Sequence, residues 1–159
     1  MLVRAIEPND EAAYRLILER TSAEDRYFRF FHAVDALDPS DTHHMMEERA
    51  DMFGVIAYDR GVPLGVAHAA LRDDDRTAEL AIMVAEDARG RGVGRDLLVT
   101  LMNRLEARGY TRFVAESMHE NHGFSALAKS AGLHVEGHEA SSLFWRRDVR
   151  AKEPVLTRI

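Results

Sequence analysis

Residues 78–109 read AELAIMVAEDARGRGVGRDLLVTLMNRLEARG, and this segment carries the strongest indication of the architecture. It opens with an apolar run, 78–84, that predicts a β-strand, and it continues through a segment rich in glycine and arginine, 89–95. Apolar residues at helical spacing then predict an amphipathic helix: Leu97, Leu98, Leu101, Met102 and Leu105. Glycine commonly follows the last turn of a helix, so Gly109 is expected to end this one. A strand, a glycine-rich loop and a helix in this order predict a ligand site at the carboxyl end of the strand.

The sequence before this unit predicts a strand, three helices and a β-meander. The strand is expected at 2–6, the second helix begins at a capping box of Ser22 and Asp25, and the third runs from 39 to 49. Polar turns separate three apolar runs that predict antiparallel strands: 53–58, 62–71 and 78–84. The glycine-rich unit therefore grows out of the last strand of a meander.

The sequence after this unit predicts a strand at 113–117, a helix at 121–131 that Gly132 stops, and a final hairpin. The hairpin strands are expected at 133–139 and 143–149. This order implies an α/β (α+β) fold with a mixed, mostly antiparallel sheet flanked by helices. We expect one domain, residues 1–150, followed by a C-terminal tail, residues 151–159.

Composition narrows the classes of function. The 159 residues are 46% hydrophobic and 30% charged, which is the balance of one globular domain. The absence of cysteine excludes disulfides, thiolate metal sites and an acyl-cysteine intermediate. A formal charge of −6 gives the chain no general attraction to nucleic acid. No apolar run approaches the ~18 residues of a membrane span and the N-terminus lacks a signal-peptide core, so we expect no membrane partner and a cytoplasmic protein.

The glycine-rich loop favours an anionic ligand. Its free backbone N–H groups and the positive end of the following helix face the same point, and glycines let phosphate oxygens approach closely. Three arginines can add charge-assisted hydrogen bonds: Arg89, Arg91 and Arg95. This combination suits a pyrophosphate.

Two other phosphate motifs do not fit the loop, and one structural alternative stays open. A Walker loop needs Gly-Lys-Ser/Thr, whereas Gly94 is followed by Arg95 and Asp96. A dinucleotide fingerprint needs a third glycine where Leu97 stands. The loop by itself also fits an ordinary glycine turn that precedes a helix.

Two motifs resemble the signatures of the GNAT acetyltransferase superfamily. Arg89-x-x-Gly92-x-Gly94 is similar to the family's acetyl-CoA signature, Gln/Arg-x-x-Gly-x-Gly/Ala, and it lies between a strand and a helix as that family has it. Residues 121–133, NHGFSALAKSAGL, are similar to the second signature. With the order of elements, the resemblance covers nearly the whole chain. It implies a GNAT-like fold, acetyl-CoA as cosubstrate and transfer of the acetyl group to a primary amine.

The resemblance also implies which residues bind acetyl-CoA. The strand residues that match the backbone partners of the pantetheine arm are Ile82, Met83 and Val84. The loop residues whose amides match the pyrophosphate binders are Gly90, Gly92, Val93, Gly94 and Arg95. Arg89 and Arg91 complete the set of loop residues that we expect to bind the cofactor. Asn121 matches a residue that touches the pantetheine or the far end of the cofactor, and a helix N-cap role is compatible with that contact.

A narrower resemblance is to the acetyltransferase domain of Pat-type bacterial protein lysine acetyltransferases. It rests on residues 22–31, SAEDRYFRFF, and on residues 78–81, AELA. It implies that the amine acceptor is a lysine side chain of a protein. A small-molecule amine and a non-catalytic acyl-CoA-binding sensor are the alternatives, and the sequence leaves the oligomeric state, including a homodimer, open.

Acetylation of an amine requires the removal of a proton from an ammonium group with a pKa near ~10. The resemblance assigns this role to Glu79, which matches the general base of Pat-type domains by its spacing before the loop, although a surface carboxylate is the simpler alternative. Candidates held in reserve are Glu116, Ser117 and His68. Ala128 stands where many GNAT enzymes carry a tyrosine that protonates the leaving thiolate. We therefore expect the thiolate to take its proton from solvent.

Two histidine-rich segments are the candidate metal sites of the sequence. His43 and His44 are adjacent, and His119 and His122 flank Glu120 and Asn121. Neither segment has the His-Glu-x-x-His spacing of a zinc site, and adjacent histidines on a helix point in different directions. We therefore expect no metal.

Overall fold

The computed structural model describes residues 1–30 and 51–150, with side-chain surroundings for residues 1–26 and 51–150. The predicted third helix at 39–49, the adjacent pair His43 and His44, and the predicted tail at 151–159 lie outside the described residues.

The strands of the described part of the chain form one sheet in the order β1-β2-β3-β4-β5-β7-β6. They are β1 (Leu2–Ala5), β2 (Met52–Asp59), β3 (Val62–Leu71), β4 (Thr77–Val84), β5 (Arg112–Met118), β6 (His134–Glu139) and β7 (Ser142–Asp148). Neighbouring strands are antiparallel except β4 and β5, which are parallel because the glycine-rich loop and its helix connect them in a crossover. The predicted meander and the mixed, mostly antiparallel sheet are confirmed.

The described helices are α1 (Glu11–Glu19), α2 (Ala23–Phe30), α3 (Val93–Glu106) and α4 (His122–Ser130). The Ser22 hydroxyl begins α2 by accepting a hydrogen bond from the Asp25 N–H at 3.1 Å, as the capping pattern predicts. Gly109 follows α3 with φ +97°. The next residue, Tyr110, donates its N–H to the Leu105 carbonyl at 3.1 Å and so caps the end of the helix. A left-handed residue at that point is the reason that glycine ends the helix.

Helices cover both faces of the sheet. The apolar side of α1 packs on one face in a cluster of Tyr14, Ile17, Leu18, Ile56, Val66 and Met83. On the other face, α3 and α4 pack over a larger core that includes Leu97, Leu101, Phe113, Ala128 and Trp145. Because alternate residues of a strand point to opposite faces, the central strands β2, β3 and β4 supply side chains to both clusters.

The two parallel strands separate after three residues. Thr77, Ala78 and Glu79 pair with Arg112, Phe113 and Val114. Beyond Glu79, β4 pairs only with β3, and beyond Val114, β5 pairs only with β7, within the described chain. The sheet therefore opens as a wedge whose narrow end lies at Glu79.

Candidate functional site

The wedge between β4 and β5 forms the floor of a cleft of about 940 Å³. The walls come from the end of β4, the glycine-rich loop, the start of α3, the end of β5 and α4. The cleft lies at the carboxyl end of β4, where the sequence predicts a ligand. Its size suits a ligand as long as a cofactor.

The glycine-rich loop lines this cleft with hydrogen-bond donors. Gly92 is the N-cap of α3 and has φ +78°, a conformation that turns the chain sharply into the helix. None of the six backbone N–H groups from Gly90 to Arg95 donates to an acceptor within the described residues, whereas the Asp96 N–H already bonds to the Gly92 carbonyl at 3.0 Å. Five of these donors, all but that of Arg91, belong to residues that line the cleft, and amide donors at a positive helix end fit a diphosphate.

The arginines of the loop differ in their surroundings. Arg89 lines the cleft and forms an ion pair with Asp25 of α2. Arg95 also lines the cleft, whereas Arg91 is not among the residues of the cleft lining and pairs with Asp59 at 2.9 Å.

The facing edges of β4 and β5 offer backbone groups to a ligand. Residues 80–84 lose their neighbour on the β5 side, so their edge carries N–H and C=O groups that no strand of the described chain pairs. Ile82, Met83 and Val84 all line the cleft. An extended chain that contains amides, such as a pantetheine arm, can satisfy such an edge as an added strand would.

Gly94 brings the helices close to this edge. A Cβ atom added at Gly94 would lie 3.0 Å from Leu127 Cδ2 and 3.6 Å from Ile82 Cδ1. The glycine therefore lets α3 begin next to both β4 and α4. This close approach keeps the loop donors beside the strand edge.

Asn121 caps α4 and lines the cleft. Its Oδ1 accepts a hydrogen bond from the Phe124 N–H at 3.0 Å, so the N-cap role is confirmed. Its side-chain amide can still donate toward a ligand, so the predicted cofactor contact stays a prediction. Ala128, about two turns further along α4, is fully buried in the core.

Glu79 lies where the wedge begins, and its side chain is 49% exposed. Its Oε2 is 3.4 Å from an Arg72 guanidinium nitrogen, and it lines the cleft. Because Val114 is its partner on β5, Glu79 shares one face of the sheet with Glu116. His68, which is buried and packs edge-on against Tyr14, lies on this face too.

The reserve candidates on β5 have other partners. Glu116 Oε1 accepts a hydrogen bond from the Ser142 hydroxyl at 2.7 Å. Ser117 is buried on the opposite face, and its hydroxyl accepts a hydrogen bond from Trp145 Nε1 at 2.9 Å. Both residues line the cleft.

Three residues of the site could not be assigned from the sequence: Asp25 beside Arg89, Arg72 beside Glu79, and Trp145 beside Ser117. Each contact joins different elements of the fold. The signal available for Trp145 is that it is the only tryptophan of the chain and lies in a predicted strand.

The described residues offer neither a metal site nor a membrane-spanning helix. Residues 1–30 and 51–150 contain no group of three or more His, Asp or Glu that could hold a metal ion. No helix in these residues is long and apolar enough to cross a membrane.

Comparison with known proteins identifies the family of the chain. The family model of the acetyltransferase (GNAT) family matches residues 14–133. The GNAT domain of S. lividans PAT is similar with a TM-score of 0.86 and 25% identity, over 92% of this chain and 89% of that one. A phosphinothricin acetyltransferase from Sinorhizobium meliloti, solved with acetyl-CoA, gives a TM-score of 0.76 and 20% identity over 98% and 94% of the two chains. A spermidine N-acetyltransferase from Vibrio cholerae gives 0.71 and 16% over 93% and 95%. The chain therefore belongs to the acetyltransferase (GNAT) family and is an N-acetyltransferase.

Proposed function

We propose that the enzyme binds acetyl-CoA in the cleft between β4 and β5 and transfers the acetyl group directly to a lysine side chain of a protein. The observation that carries the cofactor assignment is the row of six loop N–H groups without a protein acceptor in the described chain. The similarity to the GNAT domain of S. lividans PAT supports the protein acceptor, together with the Pat-type motifs at 22–31 and 78–81.

The residues divide into two parts of one binding site. The loop from Arg89 to Arg95 would hold the pyrophosphate, and the edge at Ile82, Met83 and Val84 would pair with the amides of the pantetheine arm. Asn121 would contact the pantetheine as it caps α4. Acetyl-CoA supplies an activated thioester, and the narrow end of the wedge is the position at which the chain can expose it to an amine.

Glu79 is proposed as the general base. An ammonium group has a pKa near ~10, so the attacking nitrogen has to lose a proton before or during attack. Glu79 stands at the end of the wedge, exposed to the same cleft. The chain contains no cysteine that could carry the acetyl group, so the amine attacks the thioester directly.

Four glutamates of the cleft lining favour a cationic acceptor. They are Glu24, Glu79, Glu116 and Glu120. A negative wall raises the local concentration of a protonated amine and orients its approach. The charge supports an amine acceptor, and a small amine such as a polyamine is the second candidate.

A non-catalytic acyl-CoA sensor is the candidate from a different class. Ala128 favours it mildly, because this position supplies no proton donor for the thiolate. Glu79 in the cleft favours the enzyme.

The test is an acetyl-CoA consumption assay over lysine-containing proteins, polyamines, amino acids and aminoglycosides, with product identified by mass spectrometry. We expect acceptor-dependent thiol release and acetyl-lysine, with initial-rate plots that intersect at several fixed acceptor concentrations. Parallel plots together with a competent acetyl-enzyme would overturn direct transfer. Acetyl-CoA binding without turnover on any acceptor would favour the sensor.

A further inference from the structure

Ser117 places a buried hydroxyl in the wall of the cleft. The residue is 3% exposed and lies on β5, beyond the point at which β5 leaves β4. Within the described chain, the hydroxyl has one hydrogen-bond partner, Trp145, whose indole Nε1–H donates to the Ser117 oxygen at 2.9 Å. The proposed function assigns no role to this hydroxyl.

The contact with Trp145 fixes the direction in which Ser117 can donate. An indole N–H can only donate, so Ser117 has to accept, and its own O–H is left for another acceptor. No described residue accepts that proton. Trp145 is held in place because it is 1% exposed and its ring meets Phe124 edge-on at a centroid distance of 6.2 Å. The hydroxyl is therefore a preorganised donor at the cleft surface.

Ser117 and Glu79 lie on opposite faces of the sheet at the wedge. Glu79 pairs with Val114, and Ser117 is three positions further along β5, so its side chain points to the other face. Glu79 faces the side covered by α1, and Ser117 faces the side covered by α3 and α4. A thioester bound in the wedge would therefore have the Glu79 carboxylate on one side and the Ser117 hydroxyl on the other.

We propose that the Ser117 hydroxyl, oriented by Trp145, donates a hydrogen bond to the sulfur of coenzyme A as the thiolate leaves. This inference rests on the proposed function. As the amine nitrogen bonds to the carbonyl carbon, the carbon–sulfur bond breaks and its electron pair passes to sulfur, while the amine proton leaves through Glu79. An alkyl hydroxyl is a much weaker acid than a thiol, so Ser117 keeps its proton and the thiolate is protonated later by solvent.

The test follows the thiol of bound coenzyme A, which requires no acceptor. The thiolate absorbs in the ultraviolet, so a pH titration of the complex with coenzyme A gives the midpoint of ionisation. A donor to the thiolate lowers this midpoint below the ordinary thiol value of ~8.5. We expect Ser117→Ala to raise the midpoint by about one pH unit and to lower kcat on the order of 10- to 100-fold, with acetyl-CoA affinity unchanged.

Two further variants make the result specific. Ser130→Ala is the matched control, because Ser130 lines the same cleft but its hydroxyl donates to the Leu127 carbonyl at 2.7 Å. It should leave the midpoint at the native value. Trp145→Phe keeps Ser117 and removes the N–H that orients it, so the midpoint should rise partway toward that of Ser117→Ala.

The outcomes separate this inference from the proposed function. A native midpoint in both Ser117→Ala and Trp145→Phe overturns the role of Ser117 while cofactor binding stands. A failure of coenzyme A to bind the native protein overturns the proposed function itself. If Ser117→Ala does not fold, the Trp145→Phe titration decides the question, since an unchanged midpoint there contradicts the orientation of the hydroxyl.

Discussion

Asp25, in the first turn of α2, forms an ion pair with Arg89, the first residue of the glycine-rich loop. Asp25 also accepts a hydrogen bond from the Ser22 hydroxyl at 2.8 Å, so the carboxylate that helps to begin α2 reaches the loop as well. The start of α2 is thereby tied to the proposed pyrophosphate site. The Asp25 carboxylate therefore engages a guanidinium group that the proposed pyrophosphate would also use.

Replacing Asp25 by asparagine should strengthen acetyl-CoA binding. The change removes a negative charge beside the pyrophosphate site and releases Arg89. An ion pair whose arginine is half exposed contributes up to about 1 kcal/mol, so we expect a gain in affinity of about 2- to 5-fold at low salt that fades as salt rises. Titration calorimetry at two ionic strengths measures it. Asp59→Asn is the control, because Asp59 pairs with Arg91 outside the cleft lining; equal gains from both variants would contradict a specific role for the Asp25 pair.

Replacing Gly92 by glutamate should abolish acetyl-CoA binding. The new side chain enters the proposed phosphate site with a like charge, and φ +78° strains any residue that carries a Cβ. Gly109→Glu carries the same charge and a similar strain, with φ +97°, at the opposite end of α3. Both variants should lose stability in thermal melts, but only Gly92→Glu should lose the rise in melting temperature that acetyl-CoA gives. Retained binding in Gly92→Glu would place the cofactor elsewhere.

Local sequence signals predict much of the fold and little of the contacts within the site. The strand, loop and helix at 78–109 can be predicted because the spacing of apolar residues and the positions of glycines determine structure over a few residues. The short pairing of β4 with β5 cannot be predicted from local sequence, because the point at which two parallel strands separate depends on what packs against each of them. Trp145 and Ser117 are likewise separated by 28 positions, and only the register of β5 with β7 brings them together.

Asp10 should be a main source of stability at neutral pH. Its carboxylate accepts two hydrogen bonds from Arg4, each at 2.7 Å, and one from the Tyr58 hydroxyl at 2.8 Å. Burial alone would raise the pKa of Asp10, but the hydrogen bonds from Arg4, the Glu7 N–H and Tyr58 hold it below its ordinary value. Burial and the Asp10 carboxylate raise the pKa of Tyr58 to about 12.

The change Asp10→Asn should lower the free energy of unfolding at pH 7 by about 2–4 kcal/mol. We expect a smaller loss than from breaking a wholly buried ion pair, because the Arg4 side chain is 31% exposed. A lowered pKa in the folded state means that the carboxylate's contribution is complete above its ordinary pKa near ~3.9 and is lost as the pH falls through the folded value. Urea denaturation of both proteins at pH 7 and near pH 3 should show a smaller difference at the acid pH. Glu11→Gln, which breaks the exposed pair with Arg15, should cost at most about 0.5 kcal/mol. A deficit for Asp10→Asn that is equal at both pH values would refute the electrostatic account.

Replacing Glu79 by glutamine keeps the shape of the side chain and removes the proposed proton acceptor, so kcat should fall about 10²- to 10⁴-fold with acetyl-CoA affinity nearly unchanged. The lost rate should return as the pH rises toward the amine pKa of ~10, because solvent then supplies the neutral amine that Glu79 normally prepares. Glu116→Gln is the matched control: its carboxylate faces the same cleft but already accepts a hydrogen bond from Ser142. If Glu116→Gln loses the rate and Glu79→Gln keeps it, the base is Glu116. Circular dichroism and acetyl-CoA titration of each variant separate this result from misfolding, since a protein that binds cofactor natively and cannot deprotonate its acceptor has lost chemistry alone.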